Sequence, residues 1–292
     1  MLNINTNYAA SFAANAAKQS SSGLNTAMER LSSGSRINYA KDDAAGQAIS
    51  ARLTAEVQGV AMASRNAADA QSMIDTADGA LGETHNILLR MRELAVQASN
   101  GTLTADDNAS LDAEFQQLEA EIDRINDNTK WAGTGLFTGS ATVFHIGAKA
   151  TDTLSHTIAE MGAHKLGVDS AGPDGKLSTD TGGAADDDTD NIDADLTDAT
   201  KAAAMITAVD NAIKLVSTER GKLGALSNRL SSTITNLDQV RVNLSASQGR
   251  IQDADFAEET SNLAKGQILQ QAATAMLAQA NASKQTVLAL VR

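Results

Sequence analysis

Between Val60 and Ala98 one set of positions recurs at alternating spacings of three and four: Val60, Ala63, Ala67, Ala70, Ile74, Ala77, Leu81, Thr84, Leu88, Met91, Ala95 and Ala98. Thr84 is the one polar member. This spacing holds one face of a helix against a partner over many turns, so it predicts a coiled-coil seam. Ile49 and Leu53 extend the register backwards. Glu56 occupies the next position, and its neighbour Val57 is expected to turn in instead. Asn100-Gly101 supplies a C-terminal stop. A helix from Ala44 to Ser99 would run ~84 Å at 1.5 Å per residue, which predicts a rod.

Thr104-Ala105-Asp106-Asp107 places an acid three residues after a threonine, close to a capping box, so a second helix is expected there. Leu111, Phe115, Leu118, Ile122 and Ile125 supply its apolar face. A third helix is expected from about Asp198 to Gln252, with a seam at Leu226, Leu230, Thr233, Leu237, Val240, Leu244, Ser247 and Ile251. Upstream, Ile206, Val209, Ile213, Val216, Arg220 and Leu223 keep the alternation, with Arg220 intruding. The step from Leu223 to Leu226 is three where four is due, which predicts a local change of supercoil over residues 220–226.

The two ends resemble each other. Residues 1–32 and 260–292 are Ala-rich, decorated with Gln, Asn and Ser, and almost free of charge. Between Thr260 and Val291 the charged residues are Lys265 and Lys284, while Leu269, Ala273, Met276, Ala280, Ser283, Val287 and Leu290 recur at helical spacing. A helix with so few charges is poorly soluble unless it is covered, so both ends need partners.

The middle breaks the pattern. Glycines recur from Ala132 to Val168, and Ala141–Ile146 and Thr153–Ile158 read as strands of a hairpin. Residues 169–198 hold ten Asp and one Lys, which predicts a solvated acidic loop. The fold class expected is mainly α: a long antiparallel coiled-coil or helical-bundle rod with a small β-hairpin region, the terminal helices pairing as a coiled coil. The expected divisions are 1–43 and 253–292 as the two halves of an inner coiled-coil domain. Residues 44–168 and 199–252 form the rod domain, with 169–198 as an outer acidic loop.

Composition narrows the function. The chain has 292 residues and a net charge of −13, and aromatics make up 3%, so the core must be aliphatic. One proline, Pro173, leaves long helices unbroken on either side. The absence of cysteine excludes a disulfide scaffold, cysteine catalysis and zinc–thiolate sites. The acidic balance argues against nucleic acid, and no stretch is apolar enough to insert in a membrane. The first residues lack the uninterrupted apolar run of a cleaved signal peptide.

Catalytic motifs are missing as well: there is no H-E-x-x-H, Walker loop or G-x-S-x-G. His145 and His156 could meet across the hairpin, but ordinary surface histidines are the plainer reading. Asp186, Asp188 and Asp190 imitate the start of a calcium loop, yet Asn191 and Thr197 stand where Gly and Glu are required. Glu119 and Asp123, at i and i+4, read as a solvated polar face. No enzyme activity and no cofactor are expected.

Several runs in order along the chain resemble bacterial flagellin. They include Ile4-Asn5-Thr6-Asn7, Arg30 to Asn38, Ala40 to Gly46 and Arg90 to Ala98. Near the other end they include Leu223 to Leu230, Arg250 to Glu259, Gln279-Ala280-Asn281 and Val287 to Leu290. The resemblance covers about four-fifths of the chain and fails only in the middle. It implies a structural subunit that polymerises into the flagellar filament for swimming, exported unfolded through the flagellar secretion apparatus without a cleaved signal peptide. A hook–filament junction protein of the same family, or a cytoplasmic coiled-coil scaffold, is the alternative.

The resemblance also implies roles for residues. Ile4, Tyr8, Phe12, Leu24, Leu31, Leu269, Ala273, Met276, Ala280, Val287 and Leu290 would form the terminal seams used in assembly. Gly34, Arg36, Asp42, Asp43 and Gly46 would mark the joint between inner and outer tubes. Arg90, Leu94, Gln97 and Glu114 match the patch read by the host flagellin receptor. Ser140, Thr142, Ser155, Ser170, Ser178 and Thr179 are candidates for O-glycosylation. The expected partners are further copies of the chain in a helical filament, an export chaperone at the C-terminal helix, and the filament cap and hook-junction proteins.

Overall fold

The computed structural model describes residues 6–168, 196–197 and 199–291, with side chains described as far as Ser283. In chain order the elements are α1 (Tyr8–Ser33), α2 (Ala44–Ala98), α3 (Ala105–Asn128), β1 (Lys130–Trp131) and β2 (Thr134–Gly135). Then follow β3 (Ala141–His145), β4 (Thr153–Thr157), α4 (Ala163–Leu166), α5 (Ala199–Gln252) and α6 (Phe256–Val291). The fold is mainly α with two small antiparallel sheets, as the periodicity predicts. The acidic stretch lies outside the described residues, apart from Leu196 and Thr197, and so does the calcium-like run within it.

Two compact units emerge, one of residues 1–58 with 241–292 and one of residues 59–240. The helices break where the sequence places the inner boundaries, near 34–43 and 253–255. The packing units divide later, inside α2 and α5.

In the unit of residues 59–240 all twelve seam positions from Val60 to Ala98 are buried. The apolar members from Ala67 onward share one core with the buried apolar face of α5 and with Phe115 and Ile122 of α3. At the start of α2 the register differs from expectation: Ile49 is exposed and Ser50 is buried in its place. Ser50 is held there by a hydrogen bond from its hydroxyl to Gln252 Oε1 at 2.8 Å. Val57 is half-buried and Glu56 exposed, as the sequence reading anticipates.

The supercoil slip expected near residues 220–226 is absent. The buried positions of α5 are Ala202, Met205, Val209, Ala212, Val216, Glu219, Leu223, Leu226 and Leu230, an unbroken alternation of three and four. The register therefore runs one residue before Arg220. Arg220 turns aside to pair with Asp78 of α2 at 2.8 Å, and Glu219, 2% exposed, takes the seam position. A buried carboxylate is costly without partners. Glu219 has Lys222 Nζ at 2.9 Å, the Ala159 N–H at 3.4 Å and His156 Nε2 at 4.0 Å. Beyond Leu230 burial fades: Leu237 is half-buried and Val240 exposed.

Polar side chains of α3 do structural work that solvation does not describe. Asp123 Oδ1 accepts the Ala163 N–H at 2.8 Å and Asn126 Oδ1 accepts that of Met161 at 3.1 Å. Asp112 accepts the buried Leu196 N–H at 3.0 Å. Glu119 is buried, so the solvated face expected for Glu119 and Asp123 is instead a face that fastens loops. The hairpin pairs Thr142 with His156 and His145 with Thr153. With side chains alternating across a strand, that register puts His145 and His156 on opposite faces, and they do not meet.

The capping box at Thr104 is present. The Asp107 carboxylate accepts the Thr104 hydroxyl and backbone N–H, and these bonds hold it below the ordinary carboxylate range. The lowered carboxyl stabilises the fold above its unfolded value, and that contribution is lost as pH falls through the folded value. A Thr104→Ala variant should therefore lose less of its urea midpoint than the parent as pH drops below about 4.

The β1–β2 turn is closed by Ala132 at φ 50° and Gly133 at φ 85°. Two positive φ values make a type I′ turn, and a residue with a Cβ is strained at the first of them. Ala132→Gly should raise thermal stability by about 1 kcal/mol; an unchanged or lower melting temperature would contradict this.

Candidate functional site

The terminal helices α1 and α6 are packed against each other in the unit formed by both chain ends. They run antiparallel: Asn7 Nδ2 donates to the Ala280 carbonyl at 3.2 Å, Ser20 Oγ to that of Gly266 at 3.1 Å, and Arg30 Nη1 to Glu259 Oε1 at 2.8 Å. Asn7 also caps α1, its Oδ1 accepting the Ala10 N–H at 3.1 Å.

Small residues make the seam. On α1 the inward positions are Ala10, Ala13, Ala17, Ser20, Leu24 and Ala27, and on α6 they are Leu263, Gly266, Ala273, Leu277 and Ala280. A Cβ on Gly266 would stand 3.4 Å from Leu24 Cβ, so the two backbones are close there. Two helices can approach so far only where side chains are short.

The larger apolar residues face away. Phe12 is 72% exposed, Ile268 66% and Met276 59%, and Tyr8, Met28 and Leu269 are exposed as well. Among the terminal seam residues named from sequence, Ala273 and Ala280 are buried between α1 and α6, and Leu24 and Leu31 are half-buried. Tyr8, Phe12, Leu269 and Met276 lie outside that seam. Ile4 is outside the described residues, as are the side chains of Val287 and Leu290. The sequence reading chose the larger residues, but Leu263, Gly266 and Leu277 share the same helical spacing. The missed signal was the run of Ala and Ser at 10, 13, 17, 20 and 27, which is the narrower face.

Two turns of the chain, after α1 and after α5, are tied together. Gly34 ends α1 at φ 70°, a conformation that favours glycine, and its carbonyl accepts the Ala254 N–H at 3.0 Å. The Arg36 N–H donates to the Gln252 carbonyl at 2.7 Å, and its guanidinium reaches the Ile251 carbonyl at 2.8 Å. Ser35 and Asp253 form an isolated antiparallel bridge. Asp42 Oδ2 accepts the N–H groups of Asn38 and Tyr39, and Asp43 Oδ1 caps α2 at the Gly46 N–H, 2.8 Å away. Thus the joint residues named from sequence come together at one place.

Arg90 pairs with Glu114 at 2.7 Å and with Glu93 at 3.0 Å on the surface, and these carboxylates raise its pKa. Gln97 is exposed beside them on α2, but Leu94 is 1% exposed and belongs to the core. A partner reading this patch meets Arg90, Gln97 and Glu114, not Leu94. Ser140, Thr142 and Ser155 are exposed, while Ser170, Ser178 and Thr179 lie outside the described residues. Among the described residues no group of three His, Cys, Asp or Glu is placed to hold a metal ion. None of their helices is long and apolar enough to cross a membrane.

The same two regions are those that match known proteins. The family model of the bacterial flagellin N-terminal helical region matches residues 4–142, and that of the C-terminal helical region matches residues 206–291. The chain belongs to the bacterial flagellin family. It is 44% identical to flagellin of Bacillus subtilis (strain 168), with all of both chains covered. It is 40% identical to the flagellar filament 33 kDa core protein of Treponema phagedenis, with 99% of each covered. Among solved structures it is similar to Bacillus cereus flagellin, with 33% identity and a TM-score of 0.47 over 59% of this chain and 88% of that one. A flagellin is a structural protein, and this one is a subunit of the flagellar filament, a polymer of identical subunits outside the cell.

Gly46 makes the joint testable. A Cβ there would collide with the Asp43 carboxylate and lie 2.8 Å from Ile37 Cδ1. Gly46→Ala should displace the cap of α2 and cost about 1–3 kcal/mol of stability, read by urea unfolding; a neutral result would mean that the turn yields freely.

Proposed function

We propose that the subunit assembles through the apolar residues that its own α1–α6 pair leaves outside, chiefly Tyr8, Phe12, Ile268, Leu269 and Met276. The observation that carries this is the arrangement of the pair: mostly small residues and a few leucines lie inside, while Tyr8, Phe12, Ile268, Leu269 and Met276 stand in solvent. Monomeric proteins seldom leave such side chains clustered on two adjoining helices. Covering them with neighbouring copies removes apolar surface from water at roughly 25 cal/mol per Å². A filament requires this contact to be heterologous, one face of a subunit against a different face of the next, and such contacts propagate into open helical polymers when they do not close.

The joint at Gly34, Arg36, Asp42, Asp43 and Gly46 would hold the paired ends in register while the outer faces are engaged. Export as an unfolded chain fits a sequence without disulfides to reduce and with one proline. Before assembly the outward face of α6 would need a chaperone, and the filament cap and hook-junction proteins would meet the same terminal helices. Arg90, Gln97 and Glu114 would offer a host receptor a polar surface. Ser140, Thr142 and Ser155 would be open to glycosylation.

Seeded polymerisation of heat-dissociated subunits, followed by electron microscopy, tests the assembly reading. Removing residues 260–292 should abolish filament growth. Phe12→Ala should raise the critical concentration by roughly tenfold or more, the equivalent of about 1.4 kcal/mol. Growth of the truncated chain, or a discrete soluble oligomer from the full chain, would sink the reading.

A further inference from the structure

The methionines are divided by location. Met73, Met91, Met161 and Met205 are buried in the core of the unit of residues 59–240. Met28, Met62 and Met276 are exposed, and two of these three stand on the terminal pair, Met28 on α1 and Met276 on α6. Met276 falls between the Asn7–Ala280 and Ser20–Gly266 contacts, the same stretch of the pair that carries Tyr8 and Phe12. Neither side chain is buried in the seam, and among the described residues both stand more than half exposed.

We propose that Met28 and Met276 are oxidation sites through which hydroperoxides block assembly of the free subunit. This rests on the reading of the outward face as the assembly surface. In the reaction the thioether sulfur attacks one oxygen of hydrogen peroxide. The S–O bond forms as the O–O bond breaks, the sulfur loses two electrons, and the departing oxygen takes the remaining protons and leaves as water. The product is methionine sulfoxide, which places a polar S=O where an apolar side chain stood and disrupts methionine-containing interfaces. Methionine sulfoxide reductases reverse the change. Once neighbouring copies cover the face, the same residues are protected, so free subunits are sensitive and finished filaments are not.

The test treats full-length subunit with hydrogen peroxide, maps sulfoxides by peptide mass spectrometry, and measures the critical concentration for seeded growth. Met28 and Met276 should oxidise well before the four buried methionines, and the critical concentration should rise at least about tenfold. Sulfoxide reductases with a dithiol should restore growth. A Met28→Leu, Met276→Leu double variant should polymerise and keep growing after peroxide, whereas Met62→Leu should remain sensitive. Sulfoxides at both positions with unchanged growth would overturn the proposal and leave the assembly reading standing. Equal inhibition of the double leucine variant would overturn it too, and if that variant does not assemble, failure of the reductases to restore the parent chain does the same. If the untreated parent does not polymerise, the assembly reading itself falls, and this proposal with it.

Discussion

Two helices come close only where the residues between them are small, and the terminal pair of this flagellin is built on that constraint. Ala10, Ala13, Ala17, Ser20 and Ala27 line one side of the seam and Gly266, Ala273 and Ala280 the other, and at Gly266 an added Cβ would already touch Leu24. The aromatic residues Tyr8 and Phe12, with Ile268, Leu269 and Met276, are left on the outside. Such a pair buries modest apolar area, since short side chains carry little of it. It is therefore held in register by discrete polar contacts, Asn7 at one end, Ser20 in the middle and Arg30–Glu259 at the other.

The unit of residues 59–240 answers the same geometric problem differently. Its seams mix alanine with leucine, isoleucine and methionine, and they close into one core with α3 and the hairpin. The exception is Glu219, a charge in the seam, which is tolerated because Lys222 and the Ala159 N–H reach it. Removing Lys222 would leave a buried carboxylate without its nearest paired cation, the expensive case for ion pairs inside proteins. Surface pairs such as Arg92–Asp210 add little by comparison.

Much of this was legible in the sequence, because strict three–four spacing with large residues leaves one register open. From Val60 to Ala98 the seam of α2 was readable position by position, as was the cap at Thr104. The reading went astray where two registers compete. On α5, Arg220 and Glu219 are both charged, so spacing alone could not tell which would turn inward, and apart from Lys222 their partners come from distant segments. On α6 the apolar residues fall on more than one face, and a preference for bulk selects the wrong one for the subunit's own seam. The turn between α1 and α2 was visible as a cluster of Gly and Asp, but every bond from Gly34 and Arg36 to residues 251–254 ends on a backbone group there, which no side-chain pattern reveals.

The bond between Asn7 and Ala280 joins residues 273 positions apart. Contacts that distant carry the largest loop-closure penalty, which falls once intervening segments have already folded and shortened the effective loop. Pairing of α1 with α6 is accordingly favoured after the segments between them have folded, so the contact that joins the two most distant helices depends on the structure that lies between them in sequence.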